Sequence, residues 1–180
     1  MIPKMAIAHA AIGSHERPGQ GATNDWLTPR WLLDALGPFD LDPCASESNP
    51  LHASLGFAQH FTAYTWREDG LSKPWSGFVW CNPPYGPHAG KWLTRLAEHG
   101  NGIALVFART ETKTFNPALL RADATLFIAG RLVFETPNQT RAKGNAGAPS
   151  MLLAFGQEAE KRLRRSQIPG ALMAPFRRVF

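Results

Sequence analysis

The chain has 180 residues, 44% hydrophobic, 18% charged and 11% aromatic, which fits one globular domain with a real core and excludes wholesale disorder. No apolar run approaches the ~18 residues that a membrane helix needs, and the first 20 residues hold no apolar stretch that reads as a signal peptide. The net charge of +5 lies wholly in residues 160–180, where Lys161, Arg162, Arg164, Arg165, Arg177 and Arg178 face the single acid Glu160. A basic tail of this kind points either to a polyanion, usually nucleic acid, or to solubility alone. Two cysteines, Cys44 and Cys81, make neither a disulfide framework nor a cysteine-rich zinc site. A reduced, cytoplasmic protein is therefore expected.

In chain order, residues 1–22 read as a flexible leader, with Gly13, Pro18 and Gly19 and no periodicity. Thr28-Pro29 before Arg30-Trp31-Leu32-Leu33-Asp34-Ala35-Leu36-Gly37 predicts a short helix that Thr28 caps and Gly37 ends. Phe39-Asp40-Leu41-Asp42-Pro43 predicts a strand stopped by proline. A short helix is expected within 51–64, and Asp69-Gly70-Leu71 is a turn after an edge strand. Phe78-Val79-Trp80-Cys81 is an apolar run of strand length, stopped by Asn82-Pro83-Pro84, as in strands buried on both faces. Trp92, Leu93, Leu96 and Ala97 recur at helical spacing before Gly100. Strands are expected at 103–108, 124–129, 132–135 and 150–155, with a helix from Asn116-Pro117 through Leu120. A polar, Gly-rich loop fills 136–149. This order predicts an open α/β sheet whose strand C-terminal ends share one edge, where ligands bind.

The segment richest in chemistry is Asn82-Pro83-Pro84-Tyr85. A buried strand delivers an amide to the sheet edge, two prolines fix the backbone, and an aromatic follows. An amide oxygen and a proline carbonyl are two acceptors suited to an exocyclic –NH2 group, and Tyr85 offers a face for a planar base. The same four residues are also an ordinary turn signal. The six histidines show no metal-ligand spacing. No Ser-His-Asp set, P-loop or Gly-x-Gly-x-x-Gly appears, so no metal site is expected, and hydrolase, nucleoside-triphosphate and dehydrogenase chemistry lack support.

Asn-Pro-Pro-Tyr after a hydrophobic strand resembles the catalytic motif of amino-group methyltransferases that use S-adenosylmethionine. The wider chain resembles the phage-type DNA N6-adenine methyltransferase family. The resemblance rests on Asp25-Trp26-Leu27-Thr28-Pro29, Phe39-Asp40-Leu41-Asp42-Pro43-Cys44-Ala45, Asp69-Gly70-Leu71 with Trp75, and Cys81-Asn82-Pro83-Pro84-Tyr85-Gly86. It continues through Ala108-Arg109-Thr110-Glu111-Thr112 and Phe115, Gly130-Arg131-Leu132-Val133-Phe134, and 150–155. It covers roughly residues 24–156.

The resemblance implies a compact Rossmann-like class I methyltransferase sheet, mostly parallel, with an antiparallel C-terminal hairpin and a reduced first half. Only 39 residues separate Asp42 from Asn82. The domains would be the leader 1–22, a methyltransferase domain 23–157 and a basic tail 158–180. The implied activity is methylation of adenine N6 in double-stranded DNA. The base is flipped out, and its nitrogen attacks the sulfonium methyl of S-adenosylmethionine in line. Asn82 and the Pro83 carbonyl would accept the N6 hydrogens, with Pro84 shaping the turn and Tyr85 stacking on the base.

Cofactor residues implied by the resemblance are Trp26, Thr28, Pro29, Asp42, Pro43 and Asp69. Thr28 reads equally as a helix cap, Asp42 as a strand-end turn acid, and Asp69 as a solvated turn residue. Cys44-Ala45-Ser46 stand where most methyltransferases carry glycines. Phe134 would pack on the target base or in the core. Arg131, Arg141 and Lys143 flank the Gly-rich loop and would touch DNA. For a phage protein the location is the host cytoplasm. Alternatives are another planar amino group (cytosine N4, an RNA base or a glutamine amide), or a non-catalytic nucleic-acid binder on a degenerate methyltransferase fold.

Overall fold

Residues 27–46, 57–84, 88–112, 115–135 and 146–173 are described by a computed structural model. In chain order they form α1 (Arg30–Leu36), β1 (Phe39–Asp42), β2 (Phe57–Ala63), β3 (Val79–Cys81), α2 (Ala89–His99), β4 (Gly102–Phe107), α3 (Phe115–Arg121), β5 (Ala124–Ile128), β6 (Ser150–Phe155), α4 (Gln157–Arg165) and β7 (Gly170–Met173). The strands make one mixed sheet in the order β2-β1-β3-β4-β6-β5-β7. β2, β1, β3 and β4 run parallel. β6 is inserted antiparallel between β4 and β5, and β7 adds antiparallel to β5.

Both faces of this sheet are covered, which is why its central strands read as unbroken apolar runs. β3, β4 and β6 are buried along their whole length. On one face Leu32, Leu33 and Leu36 of α1 and Ala159 and Leu163 of α4 pack with Phe39, Trp80, Leu105 and Leu152. On the other, Trp92, Leu93 and Leu96 of α2 and Ala118 and Leu119 of α3 pack with Leu41, Val79, Cys81 and Leu153. Phe39 and Leu41 lie two apart yet serve opposite layers. An irregularity between them shifts the β1–β2 register, from Phe39↔Phe57 to Leu41↔Thr62. α2 ends at Gly100, which adopts φ 70° and donates its N–H to the Leu96 carbonyl.

Several expectations are corrected. The helix foreseen within 51–64 is, over the residues described there, the edge strand β2, because β1 offers it a parallel partner. Residues 132–135 form no ladder strand. Leu132 and Phe134 alternate inward, which imitates strand periodicity, but Glu135 makes only an isolated antiparallel bridge to Leu27. Thr28 does not cap α1: Pro29 holds that position and no side chain caps the helix. The expected basic tail is folded over 157–173 as α4 and β7. Ala159, Leu163 and Ile168 give it an apolar side that the sheet buries. The expected leader, most of the 136–149 loop and Arg177 and Arg178 lie outside the described residues. Between Asp42 and Asn82 the described residues hold one strand and no helix ahead of β3.

Candidate active site

Parallel strands deliver their C-terminal ends to one edge of the sheet. The register Leu41↔Val79 sets Asp42 at the end of β1 beside the end of β3, where Cys81 passes into Asn82. β4 ends at the same edge and leads to Ala108 and Arg109. Ala108 is held there by its N–H to the Pro149 carbonyl, 2.8 Å.

Asp42 is 6% exposed, and its Oδ1 accepts the Cys44 N–H at 3.1 Å. The chain after β1 and β2 stays paired: Tyr64 donates to the Asp42 carbonyl and Ala45 to the Tyr64 carbonyl, each at 2.9 Å. Gly70 presses against the Pro43 carbonyl so closely that a β-carbon would overlap the oxygen. The Trp75 indole donates to the Gly70 carbonyl at 2.8 Å. These contacts seat the Asp69-Gly70 turn on the Asp42-Pro43 strand end, although 26 residues intervene between Pro43 and Gly70. Asp69 itself is exposed at φ 51°, and its carbonyl accepts from the Ser72 N–H and hydroxyl.

Asn82 is half-buried, Pro83 buried and Pro84 exposed. Asn82 Nδ2 donates to Thr28 Oγ1 at 3.4 Å, and Thr28 is 6% exposed. Asn82 Oδ1 is buried and has no hydrogen-bond partner among the described residues. Leaving such an acceptor unpaired costs about 1–3 kcal/mol, and native chains rarely carry one without reason. The Asn82 backbone N–H meets the Cys44 sulfur, which lies 3.9 Å from that of Cys81. Burial, then Cys81 and the Asp42 carboxylate, push the Cys44 thiol well above its usual range. It stays a neutral thiol at neutral pH and is a poor nucleophile.

The structure therefore gathers Thr28, Asp42, Pro43, Asn82 and Pro83 at one edge, with the Asp69 turn seated beside them. Of the expected substrate residues that are described, one lies elsewhere. Phe134 is 2% exposed in the core layer that holds Leu32 and Leu152, so it packs as a core aromatic. Arg131 is exposed and donates to the Ala146 carbonyl at 3.3 Å; it follows the end of β5, which runs parallel to β4 toward the same edge. Trp26, Tyr85, Arg141 and Lys143 lie outside the described residues. Sequence reasoning missed the Cys44–Cys81–Asn82 contact. Its only signal was two cysteines beside the ends of neighbouring strands.

Among the described residues, no group of three or more His, Cys, Asp or Glu is placed to hold a metal ion. No helix among them is long and apolar enough to cross a membrane. A buried carboxylate, a glycine turn and an amide oxygen with no partner among the described residues lie together where a buried strand runs into Asn-Pro-Pro. The chain belongs to the DNA N-6-adenine-methyltransferase (Dam) family, whose model matches residues 18–168. No curated protein and no solved structure matches it.

Proposed function

We propose that the protein methylates the N6 amino group of adenine in DNA with S-adenosylmethionine, on a Rossmann-like class I methyltransferase sheet. The observation that carries this is Asn82 Oδ1, a buried acceptor at the sheet edge without a partner among the described residues. An –NH2 donor entering there satisfies it, so the cost of burying the oxygen is recovered when the substrate binds. Family membership supports DNA and adenine as the substrate. The antiparallel strand β6, inserted between β4 and β5, supports the sheet type.

The residues at the edge fit the cofactor. Asp42 supplies a buried carboxylate for a cationic or hydroxyl-bearing ligand. Cys44, Ala45 and Ser46 are small enough for close approach in place of glycines. When bound, S-adenosylmethionine supplies an electrophilic methyl group. Asn82 Oδ1 and the Pro83 carbonyl accept the two N6 hydrogens, which draws the nitrogen lone pair out of conjugation with the ring. No strong base is required, because the ammonium formed on methylation is acidic and releases its proton to water. Tyr85 stacks on the extruded base, and Pro84 keeps the turn stiff. Pro29 and Pro43 border the cofactor, to which Trp26 is assigned as a further ligand, and Asp69 faces its adenine. Arg131, Arg141 and Lys143 are assigned to contacts with the DNA backbone. Catalysis on this account is positioning and electrostatics.

The decisive experiment incubates unmethylated duplex DNA with the protein and labelled cofactor, then identifies the labelled nucleoside by mass spectrometry. N6-methyladenine is expected. Label in N4-methylcytosine, or none at all, overturns the proposal.

Asp42 gives a separate expected result. Asp42→Asn keeps an acceptor for the Cys44 N–H but loses the charge. It should weaken S-adenosylmethionine binding about tenfold, the scale of one charge-assisted hydrogen bond, with an unchanged melting temperature. Asp42→Ala should weaken binding as much and also lower the melting temperature, because the turn bond at 3.1 Å goes with it. Wild-type cofactor affinity in both variants, measured by calorimetric titration, would leave the acid a purely structural turn residue.

A further inference from the structure

Thr28 is fixed from both sides. Leu27 before it exchanges two backbone hydrogen bonds with Glu135, each 2.9 Å. Pro29 after it has a ring-locked φ. The Arg30 N–H donates to Glu135 Oε1 at 3.1 Å, so 27–30 is clamped to the end of the 131–135 segment. The Thr28 hydroxyl does not serve the helix, since α1 carries no side-chain cap. It accepts from Asn82 Nδ2 across 54 residues of sequence.

An amide has one accepting and one donating end of nearly equal shape. Only the oxygen end suits an incoming –NH2 group, because a donor facing a donor repels. The Asn82 N–H to the Cys44 sulfur restrains the backbone and leaves the side-chain torsions free. Among the described residues, the hydrogen bond that restrains the side chain comes from Thr28. A hydroxyl can pair with either end of an amide. Here it holds the amide plane and occupies Nδ2, so that Oδ1 stays buried at the site with no partner among the described residues. The 3.4 Å separation is long, as catalytic hydrogen bonds often are before substrate tightens them.

We propose that Thr28 is a positioning residue that aims the Asn82 amide at the target amino group, and not a cofactor ligand. This rests on the methyltransferase reading and deepens it. A supporting residue of this kind decides whether a catalytic group sits within the ~0.5 Å that chemistry tolerates.

A double-mutant cycle tests it by single-turnover methylation of an adenine-containing duplex at saturating cofactor. Thr28→Val keeps the shape and removes the hydroxyl. In the wild-type background it should slow methylation about tenfold, the scale of one hydrogen bond. In the Asn82→Ala background the same change should alter the rate less than about twofold, because nothing remains to aim. Thr28→Ser should recover to within about threefold of wild type, and cofactor affinity should stay within about twofold throughout. Independently of activity, the Asn82 side-chain amide resonances should move in Thr28→Val and return in Thr28→Ser. Equal losses in both backgrounds, or unmoved amide resonances, would overturn the role. Weakened cofactor binding with an unchanged saturated rate would overturn it too, and would return Thr28 to the cofactor. A wild-type protein that leaves adenine unmethylated ends the methyltransferase reading itself, whereas a failed cycle in an active enzyme ends only this role.

Discussion

Asn82→Ala should lose ~10²–10³ in single-turnover methylation rate, the usual loss on removing one preorganised polar contact at a reacting atom. The fold should not suffer. Among the described residues the side chain makes one hydrogen bond, the 3.4 Å donation to Thr28, and leaves Oδ1 without a partner. Removing it therefore deletes a long hydrogen bond and a desolvated orphan together. The melting temperature should hold or rise slightly, as when a strained functional group is removed from an active site. Asn82→Asp should keep more activity than Ala, since a carboxylate still accepts from the amino group. It should also be less stable than Ala, because the new charge sits close to Asp42 and Cys44. A near-wild-type rate in Asn82→Ala, with an ordinary melt, would reduce Asn82-Pro83-Pro84-Tyr85 to a turn.

The edge that carries these residues was legible because buried parallel strands announce themselves. Phe78-Val79-Trp80-Cys81 and Ile103-Ala104-Leu105-Val106-Phe107 are apolar at every position, and only strands covered on both faces tolerate that. The proline stops after Asp42 and Asn82 then put both polar groups at strand ends without any knowledge of the tertiary fold. β2 was missed since Phe57–Ala63 is not uniformly apolar, and its identity comes from pairing with β1, which no local window contains. Leu132 and Phe134 misled in the other direction. Alternation signals which side faces the core, not whether a ladder exists beside it. Thr28 shows the limit most clearly. Thr-Pro before an apolar helix is a correct capping signal locally, and the hydroxyl went instead to a side chain 54 positions away. Long-range polar pairings of that sort leave no periodicity to read.

The largest effect on stability should come from the segment that charge alone made look like a tail. A chain ending at Gly156 should not unfold cooperatively. It loses Leu163 and Ile168, 3% and 7% exposed, each contributing about 1.5–3 kcal/mol by burial. It also loses Arg162, which donates to the Leu36 and Pro38 carbonyls and lies 3.9 Å over the Phe78 ring. Without β7, the β5 edge is left unpaired. Against a total of ~5–15 kcal/mol for an ordinary domain, those losses together exceed what the remainder can absorb. Arg164 is paired with Glu160 at 2.7 Å on the exposed side of the helix. That leaves Lys161 and Arg165, exposed at i and i+4 on α4, as the basic residues of this helix with no hydrogen bond or ion pair among the described residues. Lys161→Ala with Arg165→Ala should keep the wild-type melt. It should weaken DNA binding without sequence preference and flatten the logarithmic salt dependence by roughly 1.8, at ~0.9 for each phosphate that is no longer neutralised. A salt slope unchanged in that double variant, with truncation at 156 abolishing the thermal transition, would make α4 a structural helix whose charge serves solubility.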